Sequence, residues 1–519
     1  MARRIRFCRP PGRKVDVFIS VMPPVNVPSP QRTVSPLKWA FRGVLWLLFL
    51  LWSLLVLAWL ALHWAILPHI QQWRPQIEAR ASEALGATVN IGHIEVRSSG
   101  WVPALELRDV VLRDAQGRPA LSLPRVATAL SPRSLLALEP RLEQLLIEGA
   151  HLEVRRDADG RVFVAGLDLS GPGGENTDAA DWLVRQHEIV IRGGSLRWTD
   201  ERREAEPLQL DNVQLVLRNG LRRHDLRLDA TPPPEWGERF TLRARFTHGL
   251  LARAGDWQRW SGAVHAELPR ADLSELRRYV ALPFELSQGI GALRAWVDVL
   301  EGQAQGGTAD IALRSVALRL APNVAPLALE MLEGRVVGQR TADGLTIALH
   351  DFGFLSGDGT RWPAGDLNLS LRQRAGEPST GGQFSAQRLD LHALAQVAAS
   401  LPLGDAVRRL VAEVKPQGEL NELAARWTGP LDAPTHYQIN GALSGLFLAS
   451  RASSQPHTVG RPGLRNASVQ LTANQAGGSA MLGLVDGAIE LPGVFEEPLL
   501  PLDRLSAQLL WKIDAGRLS

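Results

Sequence analysis

An uncharged apolar run constrains this chain more than any other feature. Residues 43–67 read GVLWLLFLLWSLLVLAWLALHWAIL and contain no Lys, Arg, Asp or Glu. As a helix that rises 1.5 Å per residue, the run is long enough to cross a hydrocarbon core of about 30 Å. Trp46 and Trp64 lie near its two ends, where indole rings suit the headgroup regions. The sequence therefore predicts a transmembrane helix over residues 43–67.

The charges before this run set its orientation. Residues 1–42 hold nine Lys and Arg residues against the single acid Asp16, so the N-terminus is expected in the cytoplasm and everything after Pro68 across the membrane. Residues 1–42 show no apolar period and read as a disordered basic tail. A cleaved signal peptide is the alternative, but the run is about twice the usual apolar length and no small-residue cleavage site follows.

A short amphipathic segment follows the predicted anchor. Within residues 68–86, Trp73, Ile77, Ala81 and Leu85 recur at i, i+4 spacing, and Gly86 supplies a helix stop. We expect a helix there, at the membrane exit.

The composition of the remainder excludes several classes of function. Cys8, before the anchor, is the only cysteine, so residues 87–519 can form neither a disulfide nor a thiolate metal site. The net charge of +3 and the lack of a basic stripe argue against nucleic acid as a partner. No H-E-x-x-H, G-x-S-x-G or P-loop motif occurs. We therefore predict no catalytic residue, no metal and no cofactor, and Asp157-Ala-Asp159-Gly160 reads as a hairpin turn rather than a calcium loop.

From residue 88 onward, apolar and polar residues alternate, which predicts an antiparallel β-sheet with one dry face. In three strands the alternation slips by one at a polar pair, and a β-bulge there would keep the same face dry. The three predicted bulges are at Arg108-Asp109, Asp211-Asn212 and Arg314-Ser315.

Two repeats indicate a modular array. Residues 145–154 and 189–198 share two alternating strands joined at a glycine, Gly149 or Gly193. Asp272 and Asp390, 118 residues apart, each start a similar segment that reads as an Asp-capped helix. Such self-similarity favours a solenoid-like stack of β layers over closed globules. The fold class predicted is mainly β: a transmembrane helix, then an elongated, curled antiparallel sheet with a few short helices.

In these features the chain resembles the AsmA-like family, and within it the YhdP-type branch. The resemblance rests on the single anchor and on four stretches that keep their order and spacing, within residues 85–94, 101–112, 182–200 and 218–234. It covers residues 40–519. The resemblance implies a bacterial inner-membrane protein whose periplasmic part, residues 87–519, is a β-groove that moves phospholipid toward the outer membrane.

The implied partners are phospholipid acyl chains, the inner membrane, and outer-membrane or envelope proteins. A groove lined by Leu, Ile and Val could be covered by acyl chains, although the same side chains could equally form a filled core. The second reading would suit a non-enzymatic tether or envelope-assembly factor. The candidate lining residues are Leu105, Leu107, Val110, Leu112, Ile189, Ile191, Leu208, Leu210, Val213, Leu215, Leu217, Leu226, Leu228, Ile311, Leu313, Val316 and Leu318.

One more expectation concerns the end of the sequence. Residues 507–519 begin with strand-like alternation and offer no proline or charged cap, whereas sheet edges and repeat arrays usually carry one. We expect the groove to be truncated at the C-terminus, with the delivery end missing.

Overall fold

The computed structural model describes most of the chain after residue 35. The described residues are 36–61, 64, 70–85, 88–98, 103–113, 117, 119–130, 142–164, 167–168, 177–203, 206–278, 284–341, 343–372, 380–401, 403–430, 434–453, 458–514 and 517–518. Most of the predicted basic tail lies outside them. Residues 1–68 and 69–519 form two compact units, and each is described by itself.

The first unit contains one helix, α1, over Pro36–Ala61. Its described large apolar side chains, such as Trp46, Leu50 and Leu54, are exposed. Over the residues that the structure describes, no helix meets the combined length and apolarity of a membrane span. The transmembrane helix of residues 43–67 stays a prediction.

The second unit is mainly β, as predicted, with 24 strands among the described residues. Its helices are α2 (Ile70–Leu85), α3 (Thr177–Arg185), α4 (Leu273–Leu276), α5 (Leu391–Val397) and α6 (Asp405–Val414), with 3-10 turns at Trp257–Arg259 and Ala398–Ser400. The strands are β1 (Thr88–Ser98), β2 (Pro103–Arg113), β3 (Pro119–Leu130), β4 (Leu142–Glu148), β5 (His151–Arg156), β6 (Val162–Val164), β7 (Leu167–Asp168), β8 (Glu188–Asp200), β9 (Leu208–Asn219), β10 (Arg223–Thr231), β11 (Phe240–Thr247), β12 (Ser261–Asp272), β13 (Glu285–Leu300), β14 (Gln303–Arg319), β15 (Leu327–Thr341), β16 (Gly344–Ser356), β17 (Arg361–Arg372), β18 (Gly381–Asp390), β19 (Gln417–Thr428), β20 (His436–Leu448), β21 (Gly463–Asn474), β22 (Gly477–Glu490), β23 (Leu499–Asp514) and β24 (Arg517–Leu518).

Successive strands pair in one long antiparallel meander, and from β8 to β24 each strand hydrogen-bonds to the next. One place departs from the predicted antiparallel order. β4 and β5 lie end to end between β3 and β8, and both pair with β8 in parallel. Parallel neighbours need a long crossover, which the β6–β7 hairpin and α3 provide. The two Gly-centred repeats are therefore direct neighbours, with Leu145 opposite Ile189 and Leu152 opposite Leu196.

The predicted bulges at Asn212 and Ser315 are confirmed, since the pairing register of their strands shifts there. At Asp109 the predicted bulge is wrong, because the pairing of β2 with β1 and β3 runs through this residue without a shift and no extra residue is inserted. Asp109, Asn212 and Ser315 nevertheless share a left-handed backbone, with φ of 54°, 48° and 51°. The same conformation recurs at Asp351, Glu422, Asn466 and Asp486 on later strands. Such left-handed positions bend the strands on which they occur. We call this series of left-handed residues the bulge line.

The two Asp-capped segments are also confirmed. The Asp272 side chain accepts a hydrogen bond from the Ser274 amide at the start of α4, and Asp390 accepts one from the Ala393 amide at the start of α5. Each cap satisfies an amide that the first helical turn leaves unpaired.

Helix α2 lies along β1 and covers the first edge of the sheet. Side chains at i, i+3 and i+4 spacing bond the β1 backbone: Glu78 Oε1 accepts from the Ile91 amide at 2.7 Å, and Ser82 Oγ accepts from the Val89 amide at 2.9 Å. Arg74 donates to the Gly92 carbonyl and Gln71 to the Ile94 carbonyl. Unpaired strand edges invite aggregation, and α2 removes that risk here. At the other end, the outer edge of β23 pairs with β24 only at Ile513 and Asp514 among the described residues.

Four apolar clusters form the core. The first joins β1–β4 and β8 and includes Ile77 and Ala81 of α2 among the residues packed against it. The second joins β13–β19 beneath α5, where Ala393 and Val397 are buried. Two smaller clusters surround Leu484 and Leu210.

Candidate functional site: the apolar face of the sheet

A single row of residues, apolar at every position except Thr128, crosses the whole sheet. Each member lies directly opposite the next on the neighbouring strand, from β1 to β23, and none is charged. With strands about 4.8 Å apart, these twenty positions extend over roughly 90 Å along the sheet. We call this set the apolar row: Val96, Leu105, Thr128, Leu145, Ile189, Leu217, Leu226, Ala244, Val264, Val297, Gly307, Gly338, Ile347, Leu369, Phe384, Ala425, Ile439, Ala473, Gly478 and Trp511.

From β10 onward most of this row is only half-buried. Leu226, Val264, Val297 and Ile347 are each in intermediate burial, flanked by neighbouring strands but not enclosed. On each strand, the residue two positions away lies on the same face and continues the apolar surface. For example, Leu228 lies directly opposite Leu242. A Cβ added at Gly338 would meet no atom within 4 Å, so the middle of the row has open space above it.

The opposite face carries a matching polar row. Its members precede or follow the apolar row by one residue and are likewise paired directly across the strands. None is aromatic, Val, Leu or Ile. The polar row consists of Arg97, Ala104, Ala129, Gln144, Glu188, Arg218, Asp225, Arg245, Ala263, Asp298, Gly306, Gln339, Thr346, Ser370, Gln383, Arg426, Gln438, Asn474, Gly477 and Lys512.

Ion pairs hold parts of this polar face in register. Arg218 Nε lies 2.7 Å from Glu188 Oε1, and Arg245 Nε lies 3.0 Å from Asp225 Oδ1. The hydrogen bond from Arg218 lowers the pKa of Glu188, and that from Arg223 lowers the pKa of Asp225. These carboxylates stay charged at neutral pH, so this face is hydrophilic.

Comparison with known families agrees with this architecture. The family model described as YhdP protein matches residues 31–519, nearly the entire chain. The chain belongs to this family. No curated protein and no solved structure matches it.

Within this YhdP-family chain, the seventeen candidate lining residues fall into two groups on either side of the bulge line. Beyond the line, the candidates contribute to the clusters of the core: Val110, Leu112, Leu208, Leu210, Val316 and Leu318. On the same side as the apolar row lie Leu105, Leu107, Ile189, Ile191, Val213, Leu215, Leu217, Leu226, Leu228, Ile311 and Leu313.

Burial differs between the two groups. Four of the six residues beyond the line are buried, whereas eight of the eleven on the row side are only half-buried. The three buried exceptions are Ile189, Val213 and Leu313. Full burial is therefore more common beyond the bulge line, although Ile189, Val213 and Leu313 on the row side also belong to core clusters. The row-side residues Leu105, Leu215 and Leu226 are half-buried and lie outside those clusters.

Sequence reasoning missed a buried polar cluster beside the row. The His224 ring is 1% exposed and stacks on Trp260, with ring centroids 4.3 Å apart, and on His248 at 5.3 Å. Its Nδ1 lies 2.7 Å from Asn219 Oδ1, and Asn219 Nδ2 donates to the Gln186 carbonyl. Gln186, Asn219 and His224 lie in the stretches on which the family resemblance rests. That resemblance is the only sequence signal for these residues, and it implies no role for them.

Burial keeps the His224 ring neutral at pH 7. Burial lowers the pKa of His224 to about 4, with the neighbouring His248 acting in the same direction. Within the described part of the chain, Nε2 of His224 and Nε2 of His248 have no hydrogen-bond partner. Among the described residues no group of three or more His, Cys, Asp or Glu could hold a metal ion. The ring stacking and hydrogen bonds of this cluster join the loops around it, and we call this cluster the clamp.

Proposed function

We propose that this chain is an inner-membrane protein whose periplasmic sheet carries phospholipid acyl chains along its apolar row toward the outer membrane. The observation that supports it most is the apolar row itself, since it carries no charge on any strand and is half-buried on most of them. An exposed apolar surface of that length needs a cover in water, and acyl chains provide one. Headgroups would stay in water at its margin.

The sequence supports the location. The run of residues 43–67 and the basic residues before it fit a single-pass anchor with a cytoplasmic N-terminus. Membership of the YhdP family agrees with a lipid-transfer role, as the resemblance implied. We propose no catalytic step, and the polar face would be available to envelope proteins as partners.

Lipid analysis of the purified protein tests this proposal. The full chain is extracted in mild detergent, and its bound lipids are quantified by mass spectrometry. We expect several phospholipids per protein. Protein that purifies without phospholipid would contradict the conduit and favour the alternative, a tether or assembly factor.

A matched pair of variants shows whether bound lipid lies on the apolar face. Leu215→Asp places a charge on the row side of β9, and Gln214→Asp places the same charge on the neighbouring, exposed polar position. A carboxylate among acyl chains loses its hydration, so we expect Leu215→Asp to reduce bound lipid several-fold and Gln214→Asp to leave it unchanged. Equal lipid in both variants would place the lipid elsewhere.

A further inference from the structure

The loop from β11 to β12, residues 249–260, borders the row side of the sheet, and we call it the strap. The clamp lies on the same face as the apolar row, because His224 precedes Leu226 by two residues on β10 and lies opposite Phe246 on β11. Trp260, the last residue of the strap, stacks on the His224 ring, and its ring centroid lies 5.6 Å from that of Phe246. The strap and the clamp together therefore bound the apolar row at the ends of these strands.

Contacts hold the strap along its length. Just before it, the Arg222 guanidinium Nε donates to the His248 carbonyl at 3.0 Å, and the His248 amide donates to the Arg222 carbonyl at 3.2 Å. In its middle, the Gly255 amide donates to Asp181 Oδ1 at 2.6 Å, which ties the strap to α3. At its end, Trp260 stacks on the clamp. The strap is thus fixed to the sheet and to α3, and its last contact depends on an imidazole ring.

The hydrogen bonds of the clamp fix where both imidazoles carry their hydrogen. Asn219 Nδ2 donates to the Gln186 carbonyl, so Asn219 Oδ1 is the atom that faces His224, and it accepts from His224 Nδ1 at 2.7 Å. His248 Nδ1 lies 2.9 Å from the Gly249 carbonyl oxygen, which can only accept. Each neutral ring therefore has its hydrogen on Nδ1 and a bare lone pair on Nε2.

Both lone pairs are buried. His224 is 1% exposed and His248 is 7% exposed, and their ring centroids are 5.3 Å apart. Among the residues that the structure describes, neither Nε2 has a hydrogen-bond partner. A proton taken up at either Nε2 would create an N–H group without an acceptor and a charge beside a second imidazole. Water satisfies both once the strap has moved away, so proton uptake favours release of the strap.

Over the described residues, the charged groups around the clamp do not compensate for such a proton. Asp225 raises the pKa of His224, but burial and the neighbouring His248 lower it by more. The acids on the packed elements are already engaged: Asp181 by the Gly255 amide, Glu188 by Arg218, Asp225 by Arg223 and Arg245, and Asp256 by Arg259. The other titratable side chains there, Arg185, His187, Arg222 and Arg253, are positively charged when protonated. They would oppose a further cation.

We propose that the clamp is a pH switch, in which a proton taken up by its two histidines releases the strap and opens this edge of the apolar row to acyl chains. Its purpose rests on the proposed function, but release of the strap can be measured without lipid. With a pKa of about 4 for His224 in the closed state and about 6.5 once released, linkage makes release roughly tenfold to twentyfold more frequent at pH 5 than at pH 7.

Hydrogen-exchange mass spectrometry of the full chain in detergent tests the switch. Exchange over residues 249–260 is compared at pH 7 and pH 5, after correction for the intrinsic pH dependence of amide exchange. The loop of residues 491–498 is the internal reference, since it is also hydrogen-bonded and contains no histidine. His224→Gln and His224→Phe are the neutral variants, and the second keeps a ring for the stack on Trp260. His436→Gln, at an exposed histidine, is the matched control.

We expect the strap of the natural protein and of His436→Gln to lose protection by roughly tenfold or more between pH 7 and pH 5. Protection of the reference loop should stay constant, as should that of the strap in both His224 variants. No loss in the natural protein, or an equal loss in the His224 variants, would overturn the proposal. An equal loss in the reference loop would overturn it as well, because acid would then loosen the whole sheet. Bound phospholipid in the same preparations separates the two ideas: lipid without a pH-dependent strap refutes the switch alone, and a pH-dependent strap without lipid refutes the conduit alone.

Discussion

Leu210 and Leu215 lie on the same strand, five residues apart, with the bulge at Asn212 between them. Leu210 is buried in a core cluster with Val213 and Ala230, whereas Leu215 is half-buried on the row side. Alternation alone assigned both to one groove lining. It could not separate them, because the period of side chains shows which face a residue occupies but not what covers that face.

The two leucines should respond differently to the same substitution. Leu210→Asp buries an unpaired charge, and we expect it to lower the free energy of unfolding by roughly 3–5 kcal/mol. Leu215→Asp leaves the charge in reach of water and should cost less than about 1.5 kcal/mol. Urea unfolding followed by circular dichroism measures both. Equal destabilisation would mean that the row side is also a filled core.

Because of His224, the free energy of unfolding of the protein should depend on pH. Its folded pKa of about 4 is below the value of about 6.5 in the unfolded chain, so the unfolded state takes up the proton first as the pH falls. The stability that neutral His224 contributes is complete above pH 6.5 and is lost as the pH falls toward 4. The loss is at most about 1.4 kcal/mol per pH unit.

The variant His224→Gln removes this titration. We expect the melting temperature of the natural protein to fall between pH 7 and pH 5 by more than that of His224→Gln. His436→Gln, at an exposed histidine, serves as the control and should follow the natural protein. Parallel curves for all three proteins would exclude His224 as the source.

At the scale of elements, the bulges were the most predictable feature. A slip in apolar parity at a polar pair has few solutions in a sheet with one dry face, and Asn212 and Ser315 adopt the expected bulge. Asp109 takes the same left-handed backbone, but the pairing of its strand is not shifted. The parallel pairing of β4 and β5 with β8 was not predictable in the same way. The two glycine-centred repeats look alike locally, and strand direction depends on the crossover between them, whose length the alternation does not encode.

The left-handed bulge conformation makes Ser315 sensitive to branching at Cβ. Ser315→Val should lower the free energy of unfolding by roughly 1–2 kcal/mol, since the left-handed region is costly for side chains with a crowded Cβ. Ser315→Gly should be neutral or slightly stabilising. Ser385→Val on β18, where the pairing is regular, is the control and should cost nothing. Chemical denaturation compares the three variants, and equal costs for the two valine substitutions would contradict the bulge.

Helix α2 offers a separate prediction. Glu78→Ala and Ser82→Ala remove the acceptors of the Ile91 and Val89 amides, so these amides should exchange hydrogen at least tenfold faster. Arg80→Ala, on the solvent side of the same helix, should leave exchange in β1 unchanged. Hydrogen-exchange mass spectrometry over residues 88–98 makes the measurement. Unchanged exchange in the Glu78 and Ser82 variants would show that α2 does not protect this edge.

Over the whole second unit, the sequence predicts the dry face and its great extent, because alternation is a local property that repeats on every strand. The continuity of the apolar row, in contrast, could not be predicted from the sequence. It depends on the register between neighbouring strands, such as Val264 opposite Val297 and Gly307 opposite Gly338, which no single strand specifies.

The central claim is that acyl chains lie on the apolar row and not on the polar row behind it. Photo-crosslinking in living cells tests this directly, with a photoreactive residue placed at Leu226, Val297 or Leu471 on the apolar side. Their sequence neighbours Arg227, Asp298 and Thr472 on the polar side provide the controls. We expect phospholipid to be crosslinked at all three apolar positions and little phospholipid to be crosslinked at the three polar positions. Equal crosslinking on both faces, or none on the apolar face, would contradict it.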